Sequence, residues 1–304
     1  MKIIRGLHNL SNLSGCVATI GNFDGVHLGH QKILKSASAK AKSLRLPLVV
    51  ISFVPSPQSF FNRPQPTLSS FKEKHFLLES FGVDEHLIIN FNRRFSEVSA
   101  EQFLLQTLIG KLKISYCFIG DDFRFGKNRV GNFNMLKEFS KRHNYIVENS
   151  SSILHRSKRI SSSTIRSLLL SGSFALANEM LGREFSIAGK IVHGDKRGRT
   201  IGFPTINVPI RRCVSPVLGV FAVKVCLGGM SYYGVCNIGK RPTFGGEKTL
   251  LEVYIFNFDE QVYGLQVTVT FKLKIREEKR FGSFEDLKQQ ILLDTQSTKD
   301  YFKI

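Results

Sequence analysis

The stretch Gly21-Asn22-Phe23-Asp24-Gly25-Val26-His27-Leu28-Gly29-His30 constrains this chain more than any other. It follows the apolar run Val17-Ala18-Thr19-Ile20. It precedes a segment, Gln31 to Leu44, that carries Ile33, Leu34, Ala37 and Ala41 at helical spacing. A buried strand therefore turns into a helix here, through a glycine-rich corner. Helix N-termini present unpaired N–H groups and a partial positive charge, which suits them to phosphate. Gly29 lets backbone approach a ligand, and His27 and His30, three apart, can point the same way from the first turn. The rival reading is a metal site, for which Asp24 is the one nearby carboxylate and no Cys or further His stands close.

The rest of the chain divides into two grammars. Residues 1–182 alternate short apolar runs (Leu48–Phe53, Glu85–Ile89, Ile114–Ile119) with helix-like stretches at Ser69–Phe81, Ser99–Gly110 and Phe133–His143. That alternation predicts a parallel sheet covered on both faces, with ligands beyond the carboxyl ends of the strands. Two further helices close this half, one from the Ser161-Ser162-Ser163 cap and one from Ser173 to a glycine stop at Gly182. Residues 183–304 read as strands: Ile187–Val192, Phe221–Leu227, Tyr232–Ile238, Leu250–Phe256 and Val267–Leu273. Turn residues separate them, which predicts a small antiparallel barrel. A last helix is expected from Ser283 to about Asp294.

Composition narrows the class. At 304 residues, with 42% hydrophobic and 22% charged residues, the chain reads as an ordinary two-domain enzyme-sized protein. No apolar block is long enough for a bilayer, and the N-terminus lacks a signal-peptide core, so no membrane association and a cytoplasmic location are expected. Cys16, Cys117, Cys213, Cys226 and Cys236 form no CxxC pair and are expected as reduced, packed thiols. The net charge of +19 favours anionic partners. The basic residues are scattered, so phosphorylated small molecules are expected and nucleic acid is not.

Further motifs carry chemistry. In Ile160-Ser161-Ser162-Ser163-Thr164-Ile165-Arg166, hydroxyls at a helix start and an Arg one turn later could serve a polyphosphate or simply cap the helix. Gly120-Asp121-Asp122-Phe123-Arg124-Phe125-Gly126-Lys127 nearly mimics a P-loop but has five residues between its glycines and Asn128 in place of Ser/Thr. It could instead hold a base or ribose at a strand end. Gly194, Gly198 and Gly202 recur every four residues amid cations, ahead of Pro204-Thr205-Ile206-Asn207, which suits a loop wrapping phosphates. Thr205 and Asn207 face the same way in an extended segment and could hold Mg²⁺. Glu252, in Leu250-Leu251-Glu252-Val253-Tyr254-Ile255, could act as a general base; the strand alone favours plain exposure to water.

In this order, GNFDGVHLGH, DDFRFGKNRVGN, ISSSTIR, GRTIGFPTIN, LEVYIFNFDEQVYG and IREEKRFGSFEDLKQQI make the chain resemble the bacterial bifunctional riboflavin kinase/FAD synthetase family over nearly its whole length. The resemblance implies an α/β Rossmann-like nucleotidyltransferase domain (1–182) that joins AMP from ATP to FMN, giving FAD and pyrophosphate. It implies a small antiparallel β-barrel riboflavin kinase domain (183–304) with a C-terminal helix. It assigns catalysis to His27, His30, Ser162, Arg166 and Glu252. Substrate contact falls to Gly21, Asn22, Phe23, Asp24, Gly29, Asp122, Gly194, Gly198, Gly202, Thr205, Asn207 and Arg276, and Mg²⁺ to Thr205 and Asn207. ATP, riboflavin and FMN are the implied small-molecule substrates. The chain departs from the family pattern at Ser56, where Pro-His-Pro is usual, at Ser163 in place of Thr, and at Ile206, often Ala.

Overall fold

The computed structural model describes residues 1–10, 14–61, 65–194, 202–210, 214–243 and 246–304. They form two compact units, Met1–Gln65 with Phe71–Ser162, and Pro66–Ser70 with Ser163–Ile304.

The first unit is built on six parallel strands: β1 (Lys2–Arg5), β2 (Cys16–Ile20), β3 (Leu48–Val54), β4 (Glu85–Asn90), β5 (Ile114–Gly120) and β6 (Ile146–Ser150). Their order is β1-β4-β3-β2-β5-β6. All five residues of β2 are buried, as are the first five of β3, the pattern of strands covered on both faces. One face packs Val17, Val50 and Phe118 against Leu34, Ala37 and Ala41 of helix α1 (Leu28–Leu44). The other packs Ala18, Ile51 and Cys117 against Leu104, Leu108 and Leu136. The chain leaves β2 toward β3 and β4 on one side and later builds β5 and β6 on the other. The carboxyl end of β2 is thus the topological switch point, where such sheets bind ligands, and Gly21–His30 occupies it. Helices α2 (Pro57–Phe61), α3 (Phe71–Ser80), α4 (Arg93–Ser96), α5 (Ala100–Gln102) and α6 (Phe133–His143) complete the unit.

The second unit carries helices α7 (Ser162–Leu170, all but its first residue) and α8 (Phe174–Leu181), and the antiparallel strands of the barrel. Counting a short hairpin of the first unit as β7 (Leu154–His155) and β8 (Lys158–Arg159), these strands are β9 (Ser186–Lys190), β10 (Thr205–Pro209), β11 (Gly219–Leu227), β12 (Met230–Thr243), β13 (Gly246–Ile255) and β14 (Gln266–Arg276). Their order is β10-β13-β12-β11-β14-β9, and a bridge from Val192 N–H to the Asn207 carbonyl (2.8 Å) brings the two ends of the sheet together. Phe221, Val223, Val253, Leu251, Val269 and Phe271 are fully buried. Helix α9 (Phe284–Phe302) starts at the Ser283 cap, whose hydroxyl accepts from Asp286 N–H.

The Ser99–Gly110 stretch is helical as expected, a short α-turn that passes into a π-helix over Phe103–Lys111. Several expectations are corrected. The last helix does not stop near Asp294 but runs to Phe302, because Asp294 is buried and paired and Thr298 Oγ1 donates back to its carbonyl. Cys16, Cys117 and Cys236 are buried, whereas Cys226 is exposed, and Cys213 lies outside the described residues. By packing, the main segment of the second unit begins at Ser163: the Phe174 ring contacts Phe221 and Phe271 of the barrel (5.8 and 5.9 Å), which draws α8 into that unit. Among the described residues no helix is long and apolar enough to cross a membrane.

Candidate active sites

The corner after β2 is a tight, strained turn. Phe23 (φ 48°), Gly25 (φ 78°) and Val26 (φ 41°) all take left-handed backbone, which is unusual for an aromatic and most unusual for a β-branched residue. Such residues cost about 1–3 kcal/mol each and persist only where surroundings over-determine them. The ties are visible. Lys74 of α3 donates to the Asn22 carbonyl (2.7 Å), Ser162 Oγ to the Asp24 carbonyl (3.0 Å), and Gln31 Nε2 to the Val26 carbonyl (2.9 Å). Phe23, Asp24 and Val26 are buried.

His27 caps α1: its Nδ1 accepts from His30 N–H at 3.4 Å. An imidazole that accepts at Nδ1 carries its neutral-state proton on Nε2, so His27 is a donor at its far nitrogen. The His27 and His30 rings stack at 3.7 Å, and Phe23 lies 5.0 Å from His30. Gly29 leaves room for that stack, because a Cβ there would sit 3.2 Å from the His27 ring and press on it. Burial, then His27, then Lys74 hold the His30 imidazole well below its ordinary range, so it is neutral at pH 7. Its Nδ1 is buried and meets no hydrogen-bond partner. Gly21, Asn22, Phe23, Asp24, Gly29, His27, His30 and Ser162 are thus brought together within the first unit.

On the barrel, register gathers the second set. Asn207 of β10 stands directly opposite Glu252 of β13, and Glu252 stands opposite Asn237 of β12. Cross-strand partners share a face, with Cβ atoms about 5 Å apart. Thr205, two residues before Asn207, shares that face and pairs with Tyr254. Glu252 is half-buried between two asparagines, not a plain water-facing residue as the strand alone suggested. A Cβ at Gly194 would lie 2.4 Å from Asn207 Nδ2, so only glycine lets that side chain lie against the backbone. Gly202 (φ 88°) turns the chain ahead of Pro204, and Gly198 lies outside the described residues. Beside Thr205 is a cavity of about 220 Å³, walled by Pro204, Ile206, Val253, Ile255 and Val262 and by His193, whose ring stacks on Tyr263 at 3.8 Å.

The two clusters coincide with two known modules. The family described as FAD synthetase matches residues 9–164, and that described as riboflavin kinase matches residues 181–302. Proteins named bifunctional riboflavin kinase/FMN adenylyltransferase are similar end to end. The Haemophilus influenzae protein is 46% identical over 99% of both chains. That of Escherichia coli K12 is 42% identical over 99% of this chain and 98% of its own. The chain belongs to the bifunctional riboflavin kinase/FMN adenylyltransferase family. A solved structure described as a macrolide-efflux protein from Streptococcus pneumoniae shares the fold, with 30% identity, a TM-score of 0.82 and coverage of 98% and 99% of the two chains.

Within this family frame, other residues expected at the sites sit less directly. Arg166 lies one turn into α7, beyond Ser162, in the second unit. Asp122 is at the carboxyl end of β5 and pairs with Arg159 (2.9 Å), which also grips Asp121. Arg276 is committed to Asp294 through a bidentate pair (2.7–3.1 Å) and stands over Phe281, fastening α9 to β14. Ser56 caps α2 by accepting from Ser59 N–H. Reading the sequence missed Asn237, His193 and Lys74. Nothing local distinguishes an asparagine within a strand, a histidine just after one, or a lysine on an exposed-looking helix from an ordinary surface residue.

Proposed function

We propose that this family member makes FMN and then FAD at two separate sites, with the residues above in defined roles. The observation that carries the reading is that each of the two family modules contains its own polar cluster: His27, His30 and Ser162 at the switch point, and Thr205, Asn207 and Glu252 on one barrel face.

At the corner, the FMN phosphate attacks the α-phosphorus of ATP and pyrophosphate leaves. His27, neutral His30, Ser162 and the cation of Arg166 meet the negative charge that grows on the equatorial and leaving oxygens. No covalent enzyme intermediate is needed. Asp122 and Gly21–Asp24 border the nucleotide.

On the barrel, Glu252 accepts the proton of the riboflavin 5′-hydroxyl as that oxygen takes the γ-phosphoryl group from ATP. The cavity beside His193 and Tyr263 takes the base, and Gly194 and Gly202, with Gly198 from the sequence, are the glycines assigned to the nucleotide phosphates. Arg276 borders the flavin. Thr205 and Asn207 offer hard, uncharged oxygens two residues apart on one face, a donor set that fits Mg²⁺ when nucleotide phosphates supply the remaining ligands. Mg²⁺ there would neutralise charge on the transferred phosphoryl group.

The test is to supply riboflavin, ATP and Mg²⁺ and to resolve the flavins by chromatography. Both FMN and FAD are expected, and absence of FMN would overturn the barrel assignment. Glu252→Gln should stop FMN formation yet still convert supplied FMN to FAD. His30→Ala should let FMN accumulate. Loss of both activities in either folded variant would refute separate sites.

A further inference from the structure

Lys74 is absent from every motif that the chain carries, yet it reaches the centre of the first site. Its ammonium leaves α3, a helix more than forty residues downstream of the corner, and donates to the Asn22 carbonyl at 2.7 Å. Burial opposes its charge and the Asp24 carboxylate favours it. Asp24 itself is 2% exposed, so its buried carboxylate is close enough to favour the charged Lys74 ammonium.

The other ties to the turn give this contact its meaning. Lys74, Ser162 and Gln31 grip the carbonyls of Asn22, Asp24 and Val26, every second peptide of the turn. A trans peptide is planar, with its N–H antiparallel to its C=O. Fixing those three carbonyls therefore fixes the directions of the Phe23, Gly25 and His27 N–H vectors, and with them the point from which the His27 side chain departs. Without the ties, Phe23 and Val26 would leave left-handed backbone for ordinary conformations. The histidine pair would then lose its common aim.

We propose that Lys74, assisted by Gln31, is a positioning residue for adenylyl transfer: it clamps the Asn22–Val26 turn so that His27 and His30 meet the reacting phosphate. The proposal rests on the adenylyl-transfer reading of this corner. Lys74 acts through the turn and touches no reacting atom. A clamp of this kind affects the transition state more than ground-state binding, since small misplacements cost rate steeply.

The test uses the full chain, with riboflavin phosphorylation as the internal control. Lys74→Met should lower kcat for converting FMN and ATP to FAD by roughly tenfold to a hundredfold. KM for ATP should stay within about threefold, and kinase turnover should not change. Lys74→Arg, which can still donate to the carbonyl, should recover much of the loss, and Gln31→Met should give a smaller defect of the same kind. An unchanged kcat in Lys74→Met would overturn the proposal. So would a Lys74→Arg variant as impaired as Lys74→Met, or a loss shared equally with the kinase activity. If the unmodified chain made no FAD from supplied FMN, the reading of the corner would itself fall, and the clamp with it.

Discussion

Gly194 has no room for a side chain, and one methyl group there tests the barrel site more finely than removal of a reacting group. The added Cβ would fall 2.4 Å from Asn207 Nδ2, well inside contact, so the amide has to shift from its place on the strand opposite Glu252. Gly194→Ala should therefore lower riboflavin phosphorylation by roughly tenfold or more, an effect of about 1.4 kcal/mol at the barrier. FAD formation from supplied FMN should be untouched. Steady-state assays of both reactions on one preparation check it, and equal rates for the variant and the parent would remove Asn207 from the site. At this scale the sequence was legible where chemistry is packed into a short span. His27, Gly29 and His30 declare themselves because a helix start, a close approach and two imidazoles fall within four residues. Lys74 and Asn237 do not, because what makes them special is the partner that folding brings from elsewhere: the Asn22 carbonyl for one, Glu252 for the other.

Elements were legible to the extent that burial is written along them. β2, β3 and β5 read as continuous apolar runs because both of their faces are covered. β6 was not singled out: only Ile146 and Val147 are apolar, most of the strand is exposed, and it exists through its ladder with β5. β10 was hidden by Pro204 and Pro209 at its ends. The apolar grammar is also broken inside the sheet, where Ser52 of β3 hydrogen-bonds His86 Nε2 of β4 at 2.7 Å, both about 1% exposed. Burial first, then the charges of Lys74 and His75, lower the His86 pKa from 6.5 to about 4. The folded chain thus refuses a proton that the unfolded chain accepts below pH 6.5. This contribution is complete above that pH and is lost as pH falls toward 4, reaching about 3 kcal/mol at full effect. His86→Gln keeps a partner for Ser52 and removes the titration. Urea unfolding at pH 7 and pH 4.5 should show a smaller acid-induced drop in the variant than in the parent, and identical drops would mean that His86 is not the group responsible.

For the whole molecule, the motifs and the packing draw the boundary between halves in different places. The riboflavin kinase match begins at residue 181, and strand grammar begins near Phe185. The compact barrel unit nevertheless starts at Ser163. The reason is apolar contact that periodicity cannot assign to a partner: Phe174, Ala177, Met180 and Leu181 of α8 are buried, with the Phe174 ring against Phe221 and Phe271. Lys274 of β14 adds a hydrogen bond to the Leu170 carbonyl at the end of α7. Burying large apolar side chains contributes about 1.5–3 kcal/mol apiece, so α7 and α8 together form a large part of what a marginally stable unit of this size possesses. A fragment of residues 163–304 should therefore melt at a temperature higher by roughly 10 °C or more than a fragment of residues 183–304. The shorter fragment should also bind a hydrophobic dye through the uncovered Phe221 and Phe271 surface. Calorimetry and dye fluorescence on the two fragments decide between the boundaries. Equal melting temperatures would place α7 and α8 with the first half of the chain, as the helix pattern in the sequence had it.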